Sequence, residues 1–428
     1  MDISENITNP LYHHRNDCRL CLSSDIEIAI PFEPTVLAEK YVTSIPTPKQ
    51  PAFPVDLYMC NQCGHVQILD VIDPEYLWSE YTYHSGQTQG IIDHLSEVAK
   101  HILSDFQLSN NKFVIDVGSN DGTLLKNFKQ KEYRVLGIDP AKDIAEKASS
   151  DGIETIPSLM TQAQGKTISK KYGKAGIVTA FNVFAHADEM VDLVKGIVEV
   201  LDRDGLFVFE VSYLKDIIEK MLIGTIFHEH LCNHSLHPLK AFLENYGLQI
   251  FHVEHVSIQG GSLIGYAQHQ DFKRPINMSV LDLLDAENAM SLHSKDTMAA
   301  FVSKFDDMKE QVSQIISRYS GQEPSLAGYG AARSGPMLLT QFGLNGLVSS
   351  IYDDHPQKVG KLTPGEYVQV QPTERLILNM PKVTFILAWI HAKNIVKKHM
   401  NYLEQGGVFV TLTPSITVIT KDNAHDWS

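Results

Sequence analysis

The chain has 428 residues, 43% of them hydrophobic. That is too long for one compact core, and it predicts two or three domains in a globular protein without extensive disorder. Its 36 basic and 51 acidic side chains give a formal charge of -15 with no long Lys/Arg block, which argues against nonspecific binding to nucleic acid or an anionic membrane. No apolar run has the length of a bilayer span, and the first ten residues lack a basic or apolar signal-like segment, so the cytoplasm is the expected compartment.

Four of the five cysteines fall in two pairs, Cys18-x-x-Cys21 and Cys60-x-x-Cys63. In a reducing compartment this spacing predicts a metal site rather than disulfides. Four thiolates fill the tetrahedron of a zinc ion and leave no open position, so the metal is expected to be structural. A redox role is the competing reading, without a thioredoxin-like strand pattern to support it. The Pro-rich stretch 45–54 reads as an extended excursion between two halves of one small module. His13, His14 and His65 are candidate substitute ligands but are expected at the surface, and Cys232 as a free thiol.

Tyr81 and Tyr83 sit in an aromatic, hydroxyl-rich loop before a helix with apolar positions Ile91, Ile92, Leu95, Val98 and Ile102. They are candidates to close over a ligand, or simply to pack. Phe113 to Val117 then reads as a buried parallel strand. Gly118 and Gly122 allow a tight turn, and Asp121 and Thr123 can cap the helix beginning near Leu124. The next strand, Arg134 to Ile138, ends in Asp139, where a carboxylate can accept ribose hydroxyls. Asn120 and Thr123 occupy places where a G-x-G-x-x-G fingerprint has glycine. Asp116, Gly118, Asn120 and Gly122, with Asp139, instead resemble the first motif of class I S-adenosylmethionine (SAM)-dependent methyltransferases. That resemblance makes Asp116 an acidic anchor near a sulfonium cofactor.

Further strands are expected at 154–156, 176–184 and 205–209, alternating with helices as in an α/β domain. Their carboxyl ends would bring Asp116, Asp139, Asn182, His186 and Glu210 to one rim. Next comes Phe227-His228-Glu229-His230. His228 and His230 are two apart, which does not fit H-E-x-x-H zinc binding. A histidine base with an orienting carboxylate suits the segment better; a surface histidine cluster is the bland alternative. After a polar helical stretch from about 281 to 319, Ser325 to Gly335 repeats the strand, glycine turn and helix pattern. It reads either as a second cofactor site or as a Rossmann-like platform for substrate.

Together these motifs, with Asn182-Val183-Phe184-Ala185-His186, Gly260-Gly261-Ser262-Leu263 and Gly328-Tyr329-Gly330-Ala331, resemble the three-domain sugar C-methyltransferases of deoxysugar biosynthesis. The resemblance covers nearly the whole chain. It implies an α/β protein with a zinc-binding module (1–80), a class I SAM-dependent methyltransferase domain (81–268) and a C-terminal Rossmann-like substrate platform (269–428). It implies SAM and structural zinc as cofactors and a small-molecule acceptor, a keto-sugar nucleotide. In the implied reaction His230 removes the proton beside a keto group, Glu229 assists, and Tyr81 and Tyr83 lie near the reacting carbon; His228 joins the same centre. Four positions depart from the family pattern: Phe227 for Tyr, Gln259 for His, Ile264 for Arg and Ile390 for Asn. They are expected on the substrate side, so a changed carbonyl acceptor, including a non-sugar one, stands beside the sugar nucleotide. An NAD-dependent oxidoreductase using the later glycine turn, and a noncatalytic zinc-containing binding protein, are the remaining alternatives.

Overall fold

The computed structural model describes residues 11–78, 86, 88–106, 108, 110–272, 274–319 and 326–427. Tyr81, Tyr83 and Ser325 lie outside the described residues. No described helix is long and apolar enough to cross a membrane.

A seven-stranded sheet forms the centre. Its strands are β1 (Phe113–Val117), β2 (Arg134–Ile138), β3 (Thr155–Ile156), β4 (Ala175–Phe181), β5 (Leu201–Ser212), β6 (Leu248–Val256) and β7 (Ser262–His269). Their order is β3-β2-β1-β4-β5-β7-β6. The first five are parallel, and β7 runs antiparallel to both neighbours. Every residue of β1 is buried, which is why its sequence shows no polar alternation. Helix α1 (Gln89–Asp105) covers one face through Leu95, Val98, Ala99 and Ile102. Each of the larger of these contributes roughly 1.5–3 kcal/mol on burial. The order reverses between β1 and β4, and ligands of open α/β sheets bind at such a switch point. This is the sheet of the class I methyltransferase fold.

The N-terminal sheet joins Ile26–Ile30, Leu57–Cys60 and Val66–Gln67 to Cys232–Asn233 from the central segment. The Pro-rich excursion is more than a loop of that module. Val42 bridges to Leu362, the Gln50 amide donates to Tyr367 Oη at 2.8 Å, and the Glu33 amide donates to Gln341 Oε1 at 3.0 Å. The segment between the cysteine pairs, of which the excursion is part, therefore clamps onto the C-terminal domain.

That domain holds a second sheet: β8 (Leu326–Tyr329), β9 (Ile351–Tyr352), β10 (Val370–Gln371), β11 (Val383–Ile386), β12 (Val408–Thr411) and β13 (Thr417–Ile419), in the order β10-β9-β8-β11-β12-β13. Only β13 is antiparallel. One hydrophobic core runs from Ile30 and Leu57 through Ile223 and Phe305 to Leu338 and Val410, so the three parts are packed as one body. The helix Met278–Ala289 lies against the central domain, where buried Glu287 accepts from the Leu236 and His237 amides and from Tyr213 Oη. It caps the helix Leu236–Asn245, a favourable place for a carboxylate.

Candidate active site and metal centre

The turn after β1 is built around two left-handed glycines, Gly118 and Gly122, with φ of 69° and 74°. A Cβ on Gly118 would lie 2.4 Å from Val183 Cγ2, so glycine is also required by packing. Helix α2 (Thr123–Lys129) begins there. Asp121 Oδ1 accepts from the Thr123 amide at 3.2 Å and from its hydroxyl at 2.6 Å, which caps the helix. Asp139 stands at the end of β2 and accepts from the Asn120 amide at 2.8 Å and the Ala141 amide at 2.9 Å, one bond to each oxygen. Each oxygen keeps acceptor capacity for a ribose hydroxyl.

Asp116 lies in β1 and accepts from Thr179 Oγ1 at 2.6 Å. Burial pushes its carboxyl up to about 7; the Thr179 bond opposes this, and nearby Asp139 adds to it. A buried acid of this kind is costly to ionise unless a cation comes close. Asn182 follows β4 with φ of 55° and donates its amide to the Glu210 carbonyl at 2.9 Å. His186 ends the short helical turn Phe184–His186. Two carboxylates at one sheet edge, one with spare acceptor capacity and one held poorly ionised, fit a cofactor that carries both ribose hydroxyls and a positive charge.

The Glu210 carboxylate is buried and meets His94 Nε2 of α1 at 2.6 Å. Burial opposes protonation of His94, but Glu210 raises its pKa overall. Local spacing could not have marked His94, because its partner lies 116 positions away.

The segment around His230 is held at its far end by the strand Cys232–Asn233, which pairs with Gln67 and Val66 of the N-terminal sheet. His230 Nδ1 donates to the Thr225 carbonyl at 2.7 Å. That contact fixes the tautomer with Nε2 as the lone-pair nitrogen, and no described hydrogen bond uses Nε2. Burial lowers its pKa to about 3, with His186 and Arg333 acting in the same direction, so the ring is neutral at ordinary pH. Phe227 lies over the ring at 4.0 Å between centroids, and the His186 ring is 5.1 Å away. His186 Nδ1 in turn donates to the Glu229 carbonyl at 2.7 Å.

The expected pairing of Glu229 with His230 gives way to a different arrangement. The Glu229 carboxylate accepts from Arg333 Nη1 of the C-terminal domain, and Thr225 holds the imidazole instead. Burial raises the Glu229 pKa and Arg333 counteracts it. His228 also departs from the expected centre. It is buried, donates from Nε2 to the Phe53 carbonyl at 3.1 Å and meets the Phe53 ring edge-on. With Nε2 given to the N-terminal module, His228 sits at the seam between that module and the central domain.

Cys18, Cys21, Cys60 and Cys63 bring their sulfurs within 4.8 Å of one another. The Cys18–Cys63 and Cys21–Cys60 separations are 3.6 and 3.5 Å. These are far beyond a disulfide and close to the roughly 3.8 Å edge of a tetrahedron with 2.3 Å zinc–sulfur bonds. The four residues fit zinc. Buried Arg19, inside the first pair, donates to the Ile68 carbonyl at 2.6 Å and to Asp188 Oδ1 at 3.0 Å, tying the knuckle to the central domain. His65 is fully buried rather than at the surface, stacked on His234 at 5.3 Å.

At the second glycine turn, the Ala331 amide donates to Asp353 Oδ2 at 2.6 Å, and Lys358 Nζ donates to the Ala331 carbonyl at 2.9 Å. Tyr41 of the N-terminal segment lies against the turn beside Gly330 and Ala331. The amide and carbonyl of Ala331 are thus met by protein partners. Trp389 explains two further glycines: a Cβ on Gly224 or on Gly260 would come within 2.7 Å of its indole. Among the departing positions, Phe227 lines a cleft with Thr35, Val36 and Arg333, and Ile390 is 53% exposed. Ile264 does not belong with them. It is fully buried beneath α1, in register with Glu210.

Three family models match in succession: "Putative zinc binding domain" over residues 18–78, "Methyltransferase domain" over 91–253 and "C-methyltransferase C-terminal domain" over 257–414. The C-methyltransferase NovU of Streptomyces niveus is 28% identical over 410 residues, covering 95% of this chain and 98% of NovU. Solved structures with similarity to part of the chain include magnesium protoporphyrin IX methyltransferase of Synechocystis PCC 6803 with bound SAH. It is 17% identical, with a TM-score of 0.34, over 46% of this chain and 92% of that one. The PH0226 protein of Pyrococcus horikoshii OT3 is 14% identical, with a TM-score of 0.35, over 46% of this chain and 99% of that one.

Proposed function

We propose that this chain, a methyltransferase built from a zinc-binding module, a methyltransferase domain and a C-methyltransferase C-terminal domain, methylates a carbon adjacent to a carbonyl. SAM is the methyl donor, held by Asp139 at the ribose and by Asp116, Gly118, Asn120, Gly122, Asn182 and His186 around the rim. When bound, it supplies an electrophilic methyl on a positively charged sulfur. The single observation that carries the reading is the His230 imidazole, neutral, fixed through Nδ1 by Thr225 at 2.7 Å, with its Nε2 lone pair left available. A neutral imidazole so oriented can take the proton that a neighbouring carbonyl acidifies, which leaves an enolate carbon as nucleophile. Arg333, held on Glu229, lies beside Phe227 and close enough to His230 to lower its pKa, in keeping with an anionic acceptor such as a keto-sugar nucleotide.

A non-sugar carbonyl acceptor is the second reading, favoured by the apolar Phe227 that lies over His230. Both readings are tested together by incubating the protein with keto-sugar nucleotides and simpler ketones in heavy water. Exchange of the α-hydrogen that requires His230, followed by methyl transfer from labelled SAM, supports the enolate route. Methyl transfer to oxygen or nitrogen without exchange would sink it.

A further inference from the structure

A second cluster of ligand-type side chains lies on the far edge of the central sheet, away from the cysteines. His101 of α1 and His252 and Glu254 of β6 bring one nitrogen or oxygen each within 4.8 Å of the others. His101 Nε2 and His252 Nε2 approach the same atom, Glu254 Oε1, at 2.7 and 3.3 Å. Neighbouring ligand atoms around a tetrahedral ion with bonds of 2.0–2.1 Å are about 3.3 Å apart. Glu254 Oε1 is buried there, and Tyr266, a fully buried residue, lies at the same place.

The outer nitrogens are also engaged. His101 Nδ1 is 2.6 Å from Asp105 Oδ2, and His252 Nδ1 is 3.1 Å from Ser279 Oγ. A ligating histidine is commonly held by a carboxylate or hydroxyl on its other nitrogen, which aims the remaining lone pair at the metal. With the Nδ1 proton of His101 given to Asp105, its Nε2 lone pair faces a carboxylate oxygen. Two acceptors so placed are reconciled by a bound cation or by a proton on Nε2.

We infer that His101, His252 and Glu254 bind a divalent transition metal of the zinc type, with Asp105 and Ser279 orienting the two imidazoles. Two histidines and a carboxylate suit zinc or cobalt, and a water completes the shell. The ion staples α1 to β6. Because α1 also carries His94 against Glu210, it steadies one side of the rim without touching the reacting atoms.

Titration of the full chain, its cysteine site already filled with zinc, with Co2+ tests this. The expected result is one further equivalent whose d–d absorption lacks thiolate-to-metal charge transfer, accompanied by a rise in melting temperature. His252→Ala and Glu254→Gln should each lose that equivalent while retaining the cysteine-bound zinc. Ser279→Ala, which leaves all three ligands in place, should weaken Co2+ binding about tenfold or more. Absence of a further equivalent in the parent protein overturns the inference and leaves a protonated imidazole bridging two carboxylates. Retention of the equivalent in the two ligand variants overturns it as well.

Discussion

Arg333, on the glycine turn of the C-terminal domain, is hydrogen-bonded to the buried carboxylate of Glu229, the residue directly before His230. Glu39 of the N-terminal segment lies 3.6 Å from Arg333 Nε and 3.0 Å from Lys358 Nζ, so all three parts of the chain meet in one charged network. The contact turns domain packing into a determinant of the shape of the proposed base loop.

Removing the cation should therefore cost more than its partly exposed position implies. Arg333→Ala leaves Glu229 buried and unpaired, with an expected loss on the order of 1–4 kcal/mol. Without Arg333 the folded-state pKa of Glu229 rises further above its unfolded value. The folded state then holds a proton that the unfolded state has released, and stability falls as pH rises above the ordinary glutamate range. The deficit relative to the parent protein should be larger at pH 8 than at pH 5, and Glu229→Gln in the same chain should relieve most of it. Denaturant titrations at the two pH values check this; a deficit independent of pH would mean that Arg333 acts through packing alone.

His230→Ala should lower kcat by about 10²–10⁴-fold, the usual contribution of a positioned base, while SAM affinity measured by calorimetry stays nearly constant. Because burial keeps the ring neutral, the acid limb of kcat due to His230 should fall well below the ordinary imidazole range, towards the value of about 3. Equal losses of kcat and SAM binding would argue for a structural histidine. His228→Gln should instead show its main effect in stability, since the ring donates to Phe53.

The central fold was legible because buried parallel strands show as apolar runs: Phe113 to Val117 and Arg134 to Ile138 stand where the pattern put them, and the run expected at 176–184 is a strand over Ala175–Phe181. The cysteine pairs were legible because a metal imposes short local spacing. What escaped depends on long-range partners. Glu229 and His230 are adjacent in sequence, which invited a pairing, but their side chains go to Arg333 and Thr225. Ile264 looked like a lost substrate contact until its register with Glu210 placed it in the core. The excursion at residues 45–54 gave no local sign that its Gln50 would meet Tyr367, 317 positions away.

Asp116 predicts a conflict between stability and binding. Its folded pKa is raised to about 7 by burial, above its unfolded value. Folding is therefore favoured below the unfolded value, loses ground as pH rises towards 7, and changes no further above it. Asp116→Asn should raise the melting temperature at pH 8, with a gain on the order of 1–4 kcal/mol, and the gain should shrink as pH falls through 7. The same variant should bind SAM more weakly, and in the parent protein KM for SAM should rise below about pH 7 while kcat at saturating SAM holds. A variant that binds SAM normally would remove Asp116 from the cofactor site.

The zinc cluster should matter to catalysis although it lies outside the proposed chemistry. Cys60 ends one strand of the N-terminal sheet, and Val66–Gln67 of the same sheet pairs with Cys232–Asn233, two residues after His230. The Ile68 amide adds a bond to the Leu231 carbonyl at 2.8 Å. Loss of the metal frees the strand that anchors the base loop. Cys60→Ser, or removal of zinc by a strong chelator, should lower the melting temperature and reduce methyl transfer at least tenfold, while SAM binding at the rim of the central sheet is largely kept. Calorimetry with SAM and zinc content by mass spectrometry separate the two effects. If zinc-free protein retained full kcat, Thr225, Phe227 and the central sheet alone would suffice to hold His230, and the N-terminal sheet would serve stability only.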